Sequence, residues 1–384
     1  MLAGKSTSRA PGLATLFITR GTNPYVSLLY DELGKLGLGR PRTGSLGLAW
    51  LWRARRDVTF LHFSWGPDAH YVWRRLQGRP RRILAWPRLG LFACRLLSAR
   101  LLRYRIAWTI HEVYPPSSAV SRRLDRAAAR LLAFASHVLF THDEAVADRA
   151  RAELGRAVNR IEVVPHGSYI GVYPQGRHRI VVRDALGLSP ETFLFLCFGK
   201  VRRDKGIDLL LDAFQALANE NAVLIVAGKV AHEEVAVRVA EAAASDARIR
   251  PLFGLVPNDR VAELFAASDA AVLGRSEIWT SGSLILALSF GVPVVASRLP
   301  CHEELLGGER AGWLFEPGDT ASLGEALERA MADRELIHAK RDAALEYAAA
   351  LPAWSEVAER FASSMLATTG QAEIRGKRSP IRSM

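Results

Sequence analysis

Cations and small residues gathered at the starts of helices are the first chemistry the sequence offers. In FGKVRRDKGIDLL, residues 198–210, an apolar run ends at Phe198 and Gly199 permits close backbone approach. A helix is expected to begin near Lys205–Gly206, so Arg202, Arg203 and Lys205 converge on a helix N-terminus at the carboxyl end of a strand. Unpaired N–H groups, the positive end of the helix dipole and fixed cations make an anion site suited to phosphate. A solvated basic turn is the competing reading of the same residues. In TSGSLILALSFGVPVVAS, residues 280–297, Thr280, Ser281 and Ser283 are N-cap residue types, and Gly282 leaves room for a phosphate or sugar to lie against backbone amides. Ordinary capping explains any one of these serines. Two such N-termini in one half of the chain, each preceded by a strand, point to a diphosphate more strongly than either alone.

Proton-transfer candidates fall in the other half. His111, Glu112 and Asp68 are the groups that could take a proton from a bound hydroxyl. His111 directly follows the apolar run Ile106–Ile110 and is the favoured base, with use as a hydrogen-bonded core residue as its alternative. Asp68 reads better as a helix cap after Gly66–Pro67, and Glu112 as an arginine partner. GTNPYVSLLY, residues 21–30, follows the first strand, so Gly21 and Asn23 are expected to border an acceptor cleft, although a plain strand-to-helix turn explains them equally. His62, Ser64 and Trp65 end the second strand and are expected to line the same cleft. His166 and Gly167 fall at an interdomain hinge, with structural use favoured for Gly167. The chain holds no Asp-x-Asp sequence, so no metal or other cofactor is expected to bridge a donor. Cys94, Cys197 and Cys301 are too far apart in sequence for a disulfide scaffold or a zinc site and fit a reducing cytoplasm.

These groups need a scaffold, and the apolar pattern supplies one. Ala14–Thr19, Val58–Phe63, Ile106–Ile110, His137–Phe140 and Ile161–Val164 in the first half are short apolar runs without strict alternation. Phe193–Phe198, Val223–Ala227, Ala270–Leu273 and Val292–Ala296 repeat the pattern in the second. Such runs are expected of parallel strands buried on both faces. Helical patterns lie between them, most clearly the stripe Ile207, Leu210, Leu211, Phe214, Leu217. The alternation happens twice, so the expected class is α/β: two Rossmann-like, doubly wound domains whose carboxyl strand edges face a central cleft. A length of 384 residues fits two domains. The expected limits are 1–170 for a basic N-terminal domain, 171–352 for the domain with the two phosphate-type turns, 353–369 for a helix crossing back, and 370–384 for a disordered basic tail. No apolar run approaches the ~18 residues of a spanning helix, and the N-terminus lacks the apolar core of a secretory signal.

The net charge of +12 is unevenly spread. Residues 1–180 hold 29 Lys/Arg against 11 Asp/Glu, and the remainder 22 against 28, so the halves are expected to meet different partners. Ten arginines lie between Arg74 and Arg105, with no acidic residue between Asp68 and Glu112. Their apolar neighbours, among them Trp73, Trp86 and Phe92, do not form one clean helical face, so part of residues 74–105 is expected to pack in the core. Arginine interleaved with aromatic residues suits an anionic membrane surface, at roughly 1 kcal/mol per basic residue; a solvated basic face is the alternative. Nucleic acid is not expected, because neither an aromatic RNP strand nor a GXXG clamp accompanies the arginines.

Four segments together resemble the GT-B glycosyltransferases, in the family 4-like branch of bacterial exopolysaccharide (xanthan-type) mannosyltransferases. They are FG-x-x-R-x-x-KG-x-x-x-L from Phe198 to Leu210, TSGS-x-x-x-ALS-x-G-x-PVVA from Thr280 to Ala296, PHG-x-Y-x-G-x-YP from Pro165 to Pro174, and T-x-H-x-x-x-P from Thr109 to Pro115. The resemblance implies that Gly199, Arg202 and Lys205 hold the donor diphosphate and that Ser281, Gly282 and Ser283 approach the phosphates or the sugar. It implies that Gly254, Leu255 and Val256 border the base, and that His111 faces the transferred sugar. In one respect the sequence departs from the family. Many family members carry two glutamates separated by seven residues; here those places hold Ile278 and Leu286, with Glu277 one position away. Glu277 is therefore a candidate donor-side carboxylate without its usual companion.

The expected function is transfer of a hexose, mannose from GDP-mannose, to a lipid-linked or oligosaccharide acceptor in cell-surface polysaccharide synthesis. The expected location is the cytoplasmic face of the inner membrane. A nucleotide-sugar epimerase of the same fold, or a non-catalytic nucleotide-sugar or polyanion binder, are the alternatives.

Overall fold

The computed structural model describes residues 13–15, 24–38, 42–72, 78–114, 120–332 and 335–370. The chain divides into two compact units, residues 1–167 with 353–384, and residues 168–352. Gly21, Asn23, Pro115 and the tail beyond residue 370 lie outside the described residues.

The first unit is a parallel sheet of β1 (Leu13–Thr15), β2 (Arg42–Thr43), β3 (Phe60–Phe63), β4 (Arg105–Thr109), β5 (Val138–Thr141) and β6 (Ile161–Val163), in the order β2-β1-β3-β4-β5-β6. Its helices are α1 (Pro24–Lys35), α2 (Leu48–Ala54), α3 (Asp68–Tyr71), α4 (Gly78–Leu101), α5 (Arg122–Ala135) and α6 (Glu144–Leu154). β3, β4 and β5 are central, paired Leu61 to Ile106 and Trp108 to Leu139, and all four of these side chains are buried. Full burial of each such side chain contributes about 1.5–3 kcal/mol. Local chemistry sets the helix starts: Ser121 accepts from the Leu124 amide at 3.3 Å, and Asp143 from the Val146 amide at 2.6 Å.

The second unit opens with α7 (Arg179–Ala185). Its strands are β7 (Phe193–Phe198), β8 (Ala222–Gly228), β9 (Ile249–Phe253), β10 (Ala270–Leu273), β11 (Val294–Ser297) and β12 (Gly312–Phe315), in the order β12-β11-β10-β7-β8-β9. α8 (Ile207–Gln215), α9 (Glu233–Ser245), α10 (Asn258–Ala267), α11 (Gly282–Ser289), α12 (Pro300–Leu306), α13 (Thr320–Ala332) and α14 (Ile337–Ala350) connect and follow them. Phe193, Phe195, Phe214 and Trp313 anchor a core between the sheet and α8, α9 and α13. Asp269 ties α7 to the sheet, accepting from Arg179, Arg183 and the Leu194 amide. The chain then returns to the first unit as α15 (Trp354–Ala367).

Three strands were not legible in the apolar pattern: β2, β9 and β12. Each is at an edge of its sheet; β9 contains Pro251 and ends in exposed Leu252 and Phe253, whereas β12 is buried but only four residues long and opens on Gly312. The arginine-rich stretch also differs from expectation. Residues 78–101 form one helix, straight through Pro87, and Ala85, Leu89, Phe92, Leu96 and Ala99 make a single buried stripe. The pattern is blurred in the sequence because Ile83, Leu84, Trp86, Leu91, Leu97 and Leu101 are exposed on other faces of the same helix.

Candidate functional site

In the second unit β7 lies between β8 and β10, and the connections leaving β7 and β10 diverge to opposite sides. That is the switch point of a doubly wound sheet, where the carboxyl strand ends open a crevice for ligands. The loop after β7 runs from Gly199 through a short 3-10 turn, Arg203–Lys205, to Gly206, which caps α8. Gly206 has φ +66°, and a Cβ there would sit 1.9 Å from the Gly274 carbonyl oxygen, so only glycine lets the loops after β7 and β10 touch. Gly228, at φ +142°, permits the same approach to the Gly199 carbonyl.

Lys205 and Ser283 meet in this crevice. Lys205 is buried and its Nζ donates to Ser283 Oγ at 2.9 Å. A Cβ on Gly199 would lie 3.2 Å from that ammonium, so the missing side chain leaves it approachable. Burial first, then the charge of Arg275, pushes the Lys205 pKa down to about 7. Arg202 Nε lies 2.8 Å from Asp204 Oδ1, and Arg275 Nη1 lies 2.9 Å from Asp204 Oδ2. One carboxylate thus holds two arginines beside a buried lysine, a local excess of positive charge. Ser281 caps α11, accepting from the Leu284 amide at 3.3 Å, so its hydroxyl is already engaged while that of Ser283 faces Lys205. Gly282, the first residue of α11, puts no side chain over the helix N-terminus.

Sequence reasoning missed Asp204 and Arg275 as members of this group, and it missed His302. The buried His302 ring donates from Nδ1 to the Ser297 carbonyl at 2.9 Å, which leaves Nε2 an acceptor. That Nε2 and Thr280 Oγ1 are buried without a hydrogen-bond partner among the described residues. Burial, with Arg275 and Lys205 nearby, lowers the His302 pKa to about 4. The other donor-side candidates are more peripheral. Glu277 is exposed, in the segment between β10 and α11. Gly254 donates its amide to the Gly228 carbonyl at 3.0 Å beyond the end of β9, with Leu255 exposed and Val256 half-buried.

In the first unit, His111 stands just past the carboxyl end of β4 within a cluster of rings. Its ring lies 4.7 Å from Trp65, 4.9 Å from Tyr25 and 4.9 Å from His142. His142 Nδ1 is 3.1 Å from the Val164 carbonyl, which only accepts, so that nitrogen carries the proton. His142, with a pKa near 4 from burial, is neutral, and its Nε2 therefore accepts from His111 Nδ1–H at 3.1 Å. Burial, then His142, His166 and His62, holds the His111 pKa well below its ordinary value. His111 is thus neutral with a lone pair on Nε2, an atom buried without a partner among the described residues. It is chemically an acceptor for a hydroxyl proton and is unsuited to be a phosphate-binding cation. His62 and Ser64 do not line a cleft as expected. Both are fully buried: His62 bonds Tyr30 Oη at 2.6 Å and Thr109 Oγ1 at 2.8 Å, while Ser64 Oγ lies 3.3 Å from Tyr30 Oη. Gly167 is structural, since a Cβ would sit 2.7 Å from the Trp354 ring.

Comparison with known proteins agrees with this geometry. Residues 179–349 match the family model of glycosyl transferases group 1. The GDP-mannose:glycolipid 4-beta-D-mannosyltransferase of Xanthomonas campestris pv. campestris is 26% identical over 316 residues, covering 80% of each chain. The 2-deoxystreptamine glucosyltransferase of Streptomyces kanamyceticus is 27% identical over 323 residues, again 80% of each. In structure, the sucrose-phosphate synthase of Thermosynechococcus elongatus superposes with a TM-score of 0.73 at 14% identity, covering 94% of this chain and 99% of that one. A group 1 match over the unit that holds the Lys205 crevice, on a fold of two Rossmann-like halves, identifies the chain as a glycosyltransferase of the GT-B fold.

Proposed function

We propose that the chain moves mannose from GDP-mannose onto a lipid-linked or oligosaccharide acceptor in cell-surface polysaccharide assembly. The observation that carries the donor side is the buried Lys205 ammonium against Ser283 at the switch point of the second sheet. In this reading Lys205, Arg202 and Arg275 offset the charge that develops on the departing diphosphate, aided by the α11 N-terminus at Gly282. Ser281 fixes that N-terminus, and Ser283 orients the ammonium. Gly254, Leu255 and Val256 border the base, and Glu277 reaches the donor sugar from the segment after β10. His111 Nε2 accepts a hydroxyl proton or hydrogen bond on the acceptor side, with the Trp65 ring packed beside it; Gly21 and Asn23, outside the described residues, are assigned to the acceptor by their place in the sequence alone. No metal or organic cofactor enters this scheme, since fixed cations supply the charge.

Mannose and guanine rest on the Xanthomonas relative, and the Streptomyces relative makes a hexose of another kind the competitor. A thermal-shift screen of GDP-, UDP- and ADP-sugars separates them. GDP-mannose at about 100 times its Kd stabilises by about 2.7 kcal/mol, and a larger shift from a UDP- or ADP-sugar refutes the donor assignment. Full turnover in Lys205→Met would refute the donor site itself.

The same reading puts the chain at the cytoplasmic face of the inner membrane, held peripherally through residues 74–105. Among the described residues no helix is long and apolar enough to cross a membrane. Support comes from α4, where Trp86, Leu97 and Leu101 are more than half exposed on a helix carrying several arginines. Flotation with anionic vesicles should capture the chain, and Trp86→Ser/Leu97→Ser should weaken capture; equal capture by neutral vesicles would sink the idea.

A further inference from the structure

The arginine-rich helix has a second feature besides its outer apolar face. A cavity of about 190 Å³ in the first unit is lined by Gly44, Ser45 and Leu46 after β2, Ala69 and His70 on α3, and Arg88 and Arg95 on α4. It is open at the carboxyl end of the sheet, where the loops after β2 and β3 emerge. A cavity of this size has room for a diphosphate. No carboxylate lines it, and Asp68, on the same short helix as His70, is the nearest in sequence. Arg88 and Arg95 are seven residues apart, so both point from one face of α4. Arg88 Nη2 also reaches the His70 carbonyl at 3.4 Å, while Arg95 has no hydrogen bond or ion pair with another described residue. The His70 ring is fixed by stacking on Phe92, 5.2 Å away and 12° from parallel, and it is neutral, its pKa lowered to about 4 by burial and then by Arg95 and Arg88.

The row beside these arginines tells what the anion is attached to. Leu84 and Leu91 precede Arg88 and Arg95 by four residues each, and helical spacing makes the two rows neighbours. Both leucines are exposed, at 38% and 46%. A cavity lined by Arg88 and Arg95 therefore borders an exposed apolar row, which fits a molecule with an anionic head and a hydrocarbon tail. We infer that this cavity seats the diphosphate of a lipid-linked acceptor, with the first part of the lipid along Leu84 and Leu91. The inference rests on the reading that the acceptor is lipid-linked, and it adds the group by which that acceptor is held.

The test compares two acceptors that carry the same sugar on the same lipid, one joined through a diphosphate and one through an uncharged ether. Loss of one charge-assisted contact should raise the acceptor KM of Arg95→Gln about 10- to 100-fold for the diphosphate acceptor. The KM for the ether acceptor and the rate of donor hydrolysis should be unchanged, and Arg95→Lys should recover part of the loss. Equal effects on both acceptors, or none, overturn the proposal. A fall in anionic-vesicle binding with an unchanged acceptor KM also overturns it, making a phospholipid headgroup the ligand. If the wild-type enzyme uses neither acceptor, the lipid-linked reading has failed, and pyrophosphate binding decides the cavity separately. With a nucleoside diphosphate saturating the second unit, titrated pyrophosphate should bind the wild type and not Arg95→Gln; no binding to either overturns the site. Arg88→Gln, measured in the same way, guards against a fold defect peculiar to one variant.

Discussion

On the proposed reading of the crevice as the donor site, Lys205 makes donor binding depend on pH. Burial holds its pKa at about 7 against an ordinary 10.5. A bound diphosphate favours the ammonium and restores the proton, so binding takes up about half a proton near pH 7 and nearly a whole one above about pH 8. The donor Kd should therefore rise by about 30-fold between about pH 6 and about pH 8.5. The neighbouring His302 titrates near 4, and the diphosphate of a sugar nucleotide does not titrate in this window. Calorimetry in buffers of different ionisation enthalpy measures both the Kd and the proton uptake. The folding consequence has a fixed sign. Between about pH 7 and about pH 10.5 the unfolded chain binds the proton that the folded chain has lost, so Lys205 makes stability rise with pH across that window. Lys205→Met should abolish the proton uptake, weaken donor binding at about pH 6, and make the apo chain more stable there by a few kcal/mol (on the order of 3–5). A donor Kd that is flat from about pH 6 to about pH 8.5, with no proton taken up, would refute the reasoning.

Three further outcomes follow from specific contacts. Gly206→Ala must put a methyl group where the Gly274 carbonyl stands, 1.9 Å away, at φ +66°; urea unfolding should show a loss of about 2 kcal/mol or more and donor affinity should fall with it. His142→Phe removes the acceptor that fixes the His111 tautomer. Long-range 1H–15N spectra should show the His111 proton on Nδ1 in the wild type and redistributed in the variant, with acceptor turnover about tenfold lower and donor affinity kept. Asp269→Ala strands the buried guanidinium of Arg183 and the Leu194 amide, and should cost about 3–5 kcal/mol in unfolding without changing proton uptake on donor binding.

Much of the Lys205 crevice was legible in the sequence because its parts are local. A buried strand, a glycine and a cation at a helix start occupy the fourteen residues Phe193–Gly206, and chain geometry alone brings them together. His111 was legible for the same reason, one step past a strand that paired as expected. What failed were the places where a side chain answers to a distant one. Arg202 keeps its place at the start of α8, but the link through Asp204 to the remote Arg275 was not visible in the sequence. His62 looked like a cleft residue until Tyr30 and Thr109 enclosed it. The apolar residues of α4 looked scattered because one helix carries both a buried and an exposed apolar face.

The sequence by itself determined the class of fold, the two phosphate-type turns and the uneven charge, since periodicity, capping residues and composition act over a few neighbours. Tertiary structure decided the pKa of Lys205, the tautomer of His111 and the pairing of Arg88 with Arg95 around a cavity. Desolvation, hydrogen-bond direction and enclosed volume exist only when residues remote in the chain are packed against one another.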